Sequence, residues 1–464
     1  MSARTPAGID IAGARVGVLG LGRSGTAVAR LLAAHGAEVY ASDAATAGPA
    51  AATAAALEGP RVAVELGRHD ADRLAACDWI VTSPGIPPHA AVLRHPGVIA
   101  RPVFSEIEVA SWFVSAPIAA ITGTNGKTTT TELLGRVAHA GGLTAIVAGN
   151  VGRAFSRAVL EEPEPQWYVI EVSSFQLARI ATFRPCVAVV LNLSPDHLDV
   201  YPSMAAYAAD KARIAENMGQ ADDLCLNGED PALEGFGAGR PVARHFFDRG
   251  RTVARGAHVE DGWIALAGEA DAGRVLPAAE LRIPGAHNLQ NALAAALAGS
   301  LMGVPRAGIA AALSEFPGVA HRLETVAELG GVRFVNDSKA TNVDSALVAL
   351  QAFDAPLVVI LGGRHKMSPY APLAVELEKR ATRVLAIGEA ADRIAEELGA
   401  AVPVENVGSL DRAIPRAFEI ARPGDVVLLT PACSSYDQFA NFEERGDRFR
   451  ELVAALDARA EVVP

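Results

Sequence analysis

Cysteine is scarce: the 464 residues hold four, at 77, 186, 225 and 433, far apart and with no Cys-x-x-Cys pair. That scarcity argues against a zinc ribbon or a disulfide framework and fits a reducing cytoplasm. Aromatic residues make up 5% of the chain and charged residues 20%, while half of it is apolar. This balance belongs to a folded globular chain rather than a disordered one. No block of lysine and arginine stands out and the formal charge is −12, so nucleic acid is not expected as a partner. Small anionic ligands need only local positive charge and are not excluded. No apolar run reaches the roughly 18 residues that cross a bilayer, and the N-terminus has no apolar signal core. No membrane insertion and a cytoplasmic location are expected. Repeats and low-complexity tracts are missing apart from the alanine-rich stretch 44–56.

Length sets a prior of about three domains. A buried-strand pattern at Arg15–Leu19 leads into Gly20-Leu-Gly22-Arg23-Ser24-Gly25, a helix to His35 and a strand from Glu38 to Ser42 that stops at Asp43. This is a βαβ opening with an acidic residue about 20 positions past the glycines, and taken alone it indicates NAD. A strand at Asp78–Thr82 ends in Ser83-Pro84-Gly85-Ile86-Pro87, where prolines and glycine stop any helix. A boundary is expected near residue 110 and a second at Pro317-Gly318. Between them strands and helices should alternate. Strands are expected at Trp167–Val172 and Cys186–Leu191, and helices at Tyr207–Met218 and Asn288–Met302, with another inside Gly303–Phe316. After the second boundary, strands at Val332–Val335, Pro356–Leu361, Arg383–Ile387 and Asp425–Leu429 predict a third α/β unit.

The richest chemistry lies at Ile121-Thr-Gly123-Thr124-Asn125-Gly126-Lys127-Thr128-Thr129, directly after an apolar run. Glycines there turn backbone N–H groups inward, Lys127 offers a point charge to phosphates and Thr128 a hydroxyl to Mg²⁺. Ile121 stands where the general Walker pattern has a small residue. Glu171 ends the next strand, in the position of a Mg²⁺ ligand or of a plain helix cap. His197, in Asn192-Leu-Ser-Pro-Asp196-His197-Leu-Asp199, reads in isolation as a turn histidine. Lys211, in an alanine-rich helix, reads as a solvated surface lysine. In the last third, Asn336–Asn342, Gly362–Lys366 and Thr430–Gly446 each follow a strand, which predicts three polar loops on one sheet edge suited to a small carboxylate substrate.

Jointly these residues resemble the Mur ligase family, the ATP-dependent amide ligases of peptidoglycan precursor synthesis. The likeness runs from the first βαβ to Gly446 and accounts for Ile121. It rests on Gly123 through Thr130, Glu171 with Ser173-Ser174-Phe175-Gln176, Asn192 through Asp199, His287-Asn288-Leu-Gln-Asn291 and His321-Arg322. Ser83–Ile86, Asn336–Asn342 and Asp437–Gly446 look like the branch that adds D-glutamate to UDP-N-acetylmuramoyl-L-alanine through an acyl phosphate, and the Asp-Asn-Pro-Arg motif of the diaminopimelate- or lysine-adding branch is absent. The fold implied is α/β with three domains: N-terminal Rossmann-like (1–108), a central P-loop ATPase-like parallel sheet (109–318), and C-terminal Rossmann-like (319–464).

The resemblance implies roles for residues. Gly123, Thr124, Asn125, Gly126, Lys127, Thr128 and Thr129 would hold the ATP phosphates, and Asn288, Arg322 and Asp337 the rest of the nucleotide. Thr128 and Glu171 would hold one Mg²⁺; His197 and a CO₂-carbamylated Lys211 would hold a second. Lys127, His197 and Lys211 are the implied catalytic set. Gly22, Arg23, Ser24, Asp43, Ser83, Gly85, Asn150, Gln176 and His197 would bind the UDP-sugar, and Thr341, Lys366, Ser435 and Phe442 the D-glutamate. Arg364 and His365 depart from the family pattern and receive no role. A rotation of the residues after about 318 and a monomer are also implied. The rival readings are a nicotinamide dehydrogenase, a nucleotide-driven switch, and a sister ligase such as folylpolyglutamate synthase.

Overall fold

The computed structural model describes residues 8–46, 49–86, 90–150, 152–197, 200–268, 271–283, 285–366 and 368–460. Pro87 and Asp199, named above, lie outside them, as does Met367. The strands make three sheets, and the chain divides into two compact units, 1–280 with 290–315 and 281–289 with 316–464. No helix among the described residues is long and apolar enough to cross a membrane.

The first unit opens with β1 (Arg15–Leu19), β2 (Glu38–Asp43), β3 (Val62–Leu66), β4 (Trp79–Thr82) and β5 (Val103–Ser105). They are all parallel, in the order β3-β2-β1-β4-β5. Val16, Val18, Ile80 and Val81 are wholly buried because helices cover both faces of such a sheet. Since β1 pairs with both β2 and β4, the chain reverses its direction of travel there, which makes the crevice beyond the ends of β1 and β4 a topological switch point, the place where open parallel sheets generally bind ligands.

The same unit holds a nine-stranded sheet. Its parallel part contains β6 (Ile118–Thr122), β7 (Ala145–Gly149), β8 (Trp167–Glu171), β9 (Val187–Val190), β10 (Asp223–Asn227) and β11 (Ala243–Asp248), running β11-β10-β9-β6-β8-β7. Beyond β11 come β12 (Gly256–Glu260), β13 (Trp263–Ala267) and β14 (Gly273–Pro277), with β13 antiparallel to both neighbours. The expected strand–helix alternation therefore fails between 223 and 277, where five strands follow one another with only the short 3₁₀ turn Pro231–Leu233 between them. Asp261 and Gly262, both left-handed at φ 47° and 78°, close the β12–β13 hairpin. An Asp-Gly pair between apolar runs was the available signal.

The second unit is built on β15 (Glu324–Leu329), β16 (Val332–Asn336), β17 (Leu357–Gly362), β18 (Ala381–Ile387), β19 (Val404–Gly408) and β20 (Val426–Leu429), in the order β15-β16-β20-β17-β18-β19. Only β15 runs antiparallel. The helix expected at Tyr207–Met218 instead spans Met204–Ala212: Ser203 caps it through the Ala206 amide, and a 3₁₀ turn at Arg213–Ala215 ends it.

Candidate active site

The lysine loop leaves the central strand β6, whose five residues are all buried, and enters the helix Lys127–Ala140. Gly126 caps that helix at φ 86°, and a Cβ there would stand 2.4 Å from Asn291 Oδ1, so conformation and space both demand glycine. Asn192 clasps the loop from the end of β9. Its Oδ1 accepts the Asn125 amide at 2.8 Å and its Nδ2 donates to the Asn125 carbonyl at 3.1 Å. Thr124 Oγ1 lies 3.2 Å from the Tyr207 hydroxyl and accepts the Ser194 amide at 3.0 Å. Lys127 folds back, its Nζ donating to the carbonyls of Gly123 (2.9 Å) and Thr124 (2.8 Å).

Parallel register puts Ile121 beside Glu171 on β8, and Gly149 on Glu171's other side. Glu171 is buried; its Oε2 accepts the Thr128 hydroxyl at 2.6 Å and its Oε1 the Asn150 amide at 3.1 Å. Lys211, only 1% exposed, donates from Nζ to the Gly123 carbonyl at 2.8 Å, the same oxygen that receives Lys127. Burial first, and Lys127 second, hold its pKa well below the ordinary lysine value, against the opposing pull of Asp196 and Glu171. The surface position expected of this lysine is therefore wrong. His197 adopts φ 55°, with Nε2 3.5 Å from Asp196 and its ring edge-on to Phe175. From Phe175 an aromatic run continues through Tyr201 and Tyr207, and the Lys211 Nζ sits 4.7 Å from the Tyr207 ring centre.

At the switch point of the first sheet, Ser83 Oγ donates to the Gly20 carbonyl at 2.8 Å, and Asp43 accepts the Leu21 amide at 2.7 Å and the Ala45 amide at 2.8 Å. Asp43 thus shapes the glycine loop directly. Gly22 precedes the helix Arg23–Ala34, leaving its first amides toward the crevice. A cavity of about 300 Å³ beside it is walled by Gly22, Arg23, Arg30, Arg153 and Arg157. Gln176 is buried and completes a capping box with Ser173 at the start of its short helix.

In the second unit β16, β20 and β17 are adjacent and parallel, so the three polar loops expected on one edge do share it. Lys366 Nζ lies 3.4 Å from Thr341 Oγ1, and Ser435 is buried. Ser338 Oγ donates to the Phe442 carbonyl at 2.8 Å, which anchors the start of the helix Phe442–Ala460. Asp337 accepts the Leu323 amide at 3.2 Å, and burial pushes its pKa to about 7 against the pull of Arg322. Asn288 is buried near the start of the helix Ala286–Leu301. Arg364 pairs with Glu389 at 3.1 Å, and His365 Nδ1 meets the Tyr370 hydroxyl at 2.9 Å.

Three family models match along the chain: a Mur ligase MurD-like N-terminal domain at 14–99, a Mur ligase middle domain at 121–299 and a Mur ligase glutamate ligase domain at 321–433. The chain belongs to the Mur ligase family. This Mur ligase is 46% identical over 464 residues to the UDP-N-acetylmuramoylalanine–D-glutamate ligase of Anaeromyxobacter dehalogenans, which covers 96% of this chain and 98% of that one. The protein of the same name from Salinibacter ruber is 44% identical over 453 residues, covering 95% and 98%. Among solved structures, the UDP-N-acetylmuramate-alanine ligase MurC of Thermotoga maritima aligns with a TM-score of 0.61 at 20% identity, covering 95% of this chain and 99% of that one. A pseudomurein peptide ligase type C from Methanothermus fervidus gives 0.60 at 21%, covering 96% and 100%. These two share the Mur ligase fold. Several working parts of this Mur ligase carried no assigned role in the sequence: Asn192 as the clasp of the lysine loop, Tyr207 beside Thr124, and the buried Arg445, whose guanidinium donates to Ser338 Oγ and O at 2.9 and 2.8 Å. For Tyr207 the signal was its spacing of four from Lys211, which puts both on one helix face.

Proposed function

We propose that this Mur ligase joins D-glutamate to UDP-N-acetylmuramoyl-L-alanine, converting ATP to ADP and phosphate, as a step in peptidoglycan precursor synthesis. The observation that carries this reading is the cluster at the end of β6 and β8: a glycine-bracketed lysine loop, the Thr128–Glu171 pair, and a buried Lys211 on the loop's own carbonyl. The name borne by the near full-length relatives supports the choice of D-glutamate and the UDP-sugar.

In this reading the loop amides from Gly123 to Thr129 cradle the ATP phosphates, and Lys127 exchanges the Gly123 and Thr124 carbonyls for phosphate oxygens when nucleotide arrives. The γ-phosphoryl group passes to the carboxylate of the acceptor, and the resulting acyl phosphate is attacked by the amine of D-glutamate with loss of phosphate. Positioning and charge neutralisation supply most of the acceleration in such transfers. We assign Asn288, Arg322 and Asp337 to the nucleotide, Thr341, Lys366, Ser435 and Phe442 to D-glutamate, and Gly22, Arg23, Ser24, Asp43, Ser83, Gly85, Asn150, Gln176 and His197 to the UDP-sugar. The domains are assigned as 1–108, 109–318 and 319–464, and the working form as a cytoplasmic monomer.

The Thr128 hydroxyl and Glu171 carboxylate, 2.6 Å apart, are an oxygen pair that suits Mg²⁺ beside a phosphate chain. The ion would there offset phosphate charge. As an ammonium, Lys211 does not suit a cation. Its depressed pKa, however, favours the neutral amine, which is the form that adds CO₂: an N–C bond forms, an amine proton leaves and a carbamate anion remains. In that form Lys211, with His197, would fit a second ion.

Phosphate release with ATP, UDP-N-acetylmuramoyl-L-alanine and a panel of amino acids tests the reading. Release is expected only when D-glutamate is present; release with L-glutamate or L-alanine instead would overturn the assignment.

A further inference from the structure

His365 sits between Arg364 and Lys366 on the loop after β17, and its ring is held at both nitrogens. Arg393 Nη1 lies 2.7 Å from His365 Nε2, and Tyr370 Oη lies 2.9 Å from His365 Nδ1. A guanidinium only donates, so Nε2 accepts and the ring proton must be on Nδ1, directed at the tyrosine oxygen. That leaves the Tyr370 hydroxyl proton for its remaining partner, the Cys433 sulfur at 2.9 Å. The chain of donors therefore runs one way, from Arg393 through His365 and Tyr370 to Cys433. It ends inside the protein, since Tyr370 is 1% exposed and Cys433 fully buried.

Two members of this chain lie next to two proposed D-glutamate ligands. His365 adjoins Lys366, and Cys433 is two residues from Ser435. A backbone bridge runs alongside: the Arg364 amide donates to the Ser434 carbonyl at 2.9 Å, the Ser434 amide to the Arg364 carbonyl at 3.2 Å, and Ser434 Oγ to that same carbonyl at 3.1 Å. The Ala432 amide donates to the Ala340 carbonyl at 2.9 Å, beside Thr341. Between the bridge at Arg364 and the buried Tyr370, the described residues other than His365 are exposed, Lys366 among them. Among the described residues, the His365–Tyr370 contact ties this segment to the buried core, beside the 3.4 Å approach of Lys366 Nζ to Thr341 Oγ1.

We propose that His365, Tyr370 and Cys433 form a hydrogen-bonded brace that sets the spacing between Lys366 and Ser435, making them positioning residues for the carboxylates of the amino-acid substrate. The inference rests on the assignment of Lys366 and Ser435 given above. The brace needs a neutral imidazole, because a protonated Nε2 would face the Arg393 guanidinium. Burial first, and Arg393 second, hold the His365 pKa below its ordinary value, with Glu397 opposing. The other charged groups facing the chain are Glu397, which accepts the Tyr370 amide and Arg393 Nε, both at 2.6 Å, and, around Cys433, Arg445, Asp437 and Lys366.

Steady-state kinetics of the full chain test this. Tyr370→Phe keeps the packing and removes the hydroxyl; His365→Ala removes the link; His365→Asn keeps a donor near the Nδ1 position. The expected result for the first two is a KM for the amino acid raised roughly three- to tenfold, with kcat and the KM values for ATP and the UDP-sugar changed by less than about twofold. His365→Asn should return the amino-acid KM toward wild type. In the wild type that KM should also climb as pH falls through the His365 pKa, and in His365→Asn this climb should vanish. An unchanged amino-acid KM in both Tyr370→Phe and His365→Ala, or a parallel rise in all three KM values with a lowered melting temperature, would overturn the brace. Failure of the proposed function is separately visible in the wild type: use of a different amino acid overturns that function while the variants still report on the brace, and use of none overturns both.

Discussion

Lys211 follows Tyr207, Ala208, Ala209 and Asp210 on the helix Met204–Ala212, where the local sequence predicts an ammonium in water. Instead its Nζ reaches the Gly123 carbonyl at 2.8 Å under the lysine loop, a partner 88 residues away in the chain. Desolvating a lone cation is costly, and nearby Lys127 makes it costlier, so the neutral amine is favoured. Lys211→Ala is expected to lose nearly all turnover while keeping the fold, and acetate or formate should restore part of the rate by standing in for the carbamate proposed above. Restoration by methylamine in place of the carboxylates would show that the amine itself is the working group. Asn150 adds a similar lesson. Assigned from the sequence to the sugar substrate, it is engaged with Glu171 at 3.1 Å, a contact that no spacing announces because it crosses from β7 to β8.

At the scale of elements, the short helix Glu106–Ser111 is tied down by its two carboxylates, both fully buried. Glu108 accepts the amides of Ala181, Thr182 and Phe183 at 2.7 to 3.0 Å, and the Trp112 indole at 2.8 Å. Glu106 accepts the Ser156 amide through Oε1, at 2.5 Å, with the Ser156 hydroxyl and the Phe155 amide also favouring its charged form, and among the described residues no hydrogen bond reaches its Oε2. Burial accordingly raises the Glu106 pKa from 4.5 to about 7. A raised folded-state pKa means that the folded chain binds more protons than the unfolded one between those values. Stability from this group is thus intact below about pH 4.5, declines as pH rises toward 7 and is level above that. Glu106→Gln should stabilise the protein at pH 8 and do little at pH 4.5. The measurement is the difference in melting temperature between variant and wild type at the two pH values, and an equal difference at both would refute the account. The helix itself was not legible in the sequence, being too short to show a period. Buried strands such as β6, β8, β9, β17 and β20 were legible, because both faces of a covered parallel sheet must be apolar and therefore read as unbroken runs. The β12–β14 edge was not legible because Gly256–Glu260 and Gly273–Pro277 mix glycine and charged residues into the strand and show no unbroken apolar run, so that only the turn residues mark it.

For the whole molecule, each compact unit carries an apolar core of its own, the first around β1 and around β6 to β10, the second around β16, β17 and β20. Separate cores allow separate unfolding. Scanning calorimetry should therefore give a calorimetric enthalpy larger than the van't Hoff enthalpy, whereas equal values would mean a single cooperative transition.

The sequence by itself determined the buried parallel strands that carry the site loops, that the glycine-bracketed loop follows one of them, and that three polar loops share the edge made by β16, β20 and β17. These are properties of short windows and of parallel connection, so local pattern suffices. Only the tertiary structure decided which groups meet: Thr128 with Glu171, Asn192 across Asn125, Lys211 beneath Gly123, and His365 with Cys433 through Tyr370. Each pairing joins residues distant in the chain, and burial changes the chemistry of such groups, weakening the hold of Lys211 on its proton and raising the Glu106 pKa to about 7. Desolvation depends on everything packed around a group, and no stretch of sequence contains that surrounding.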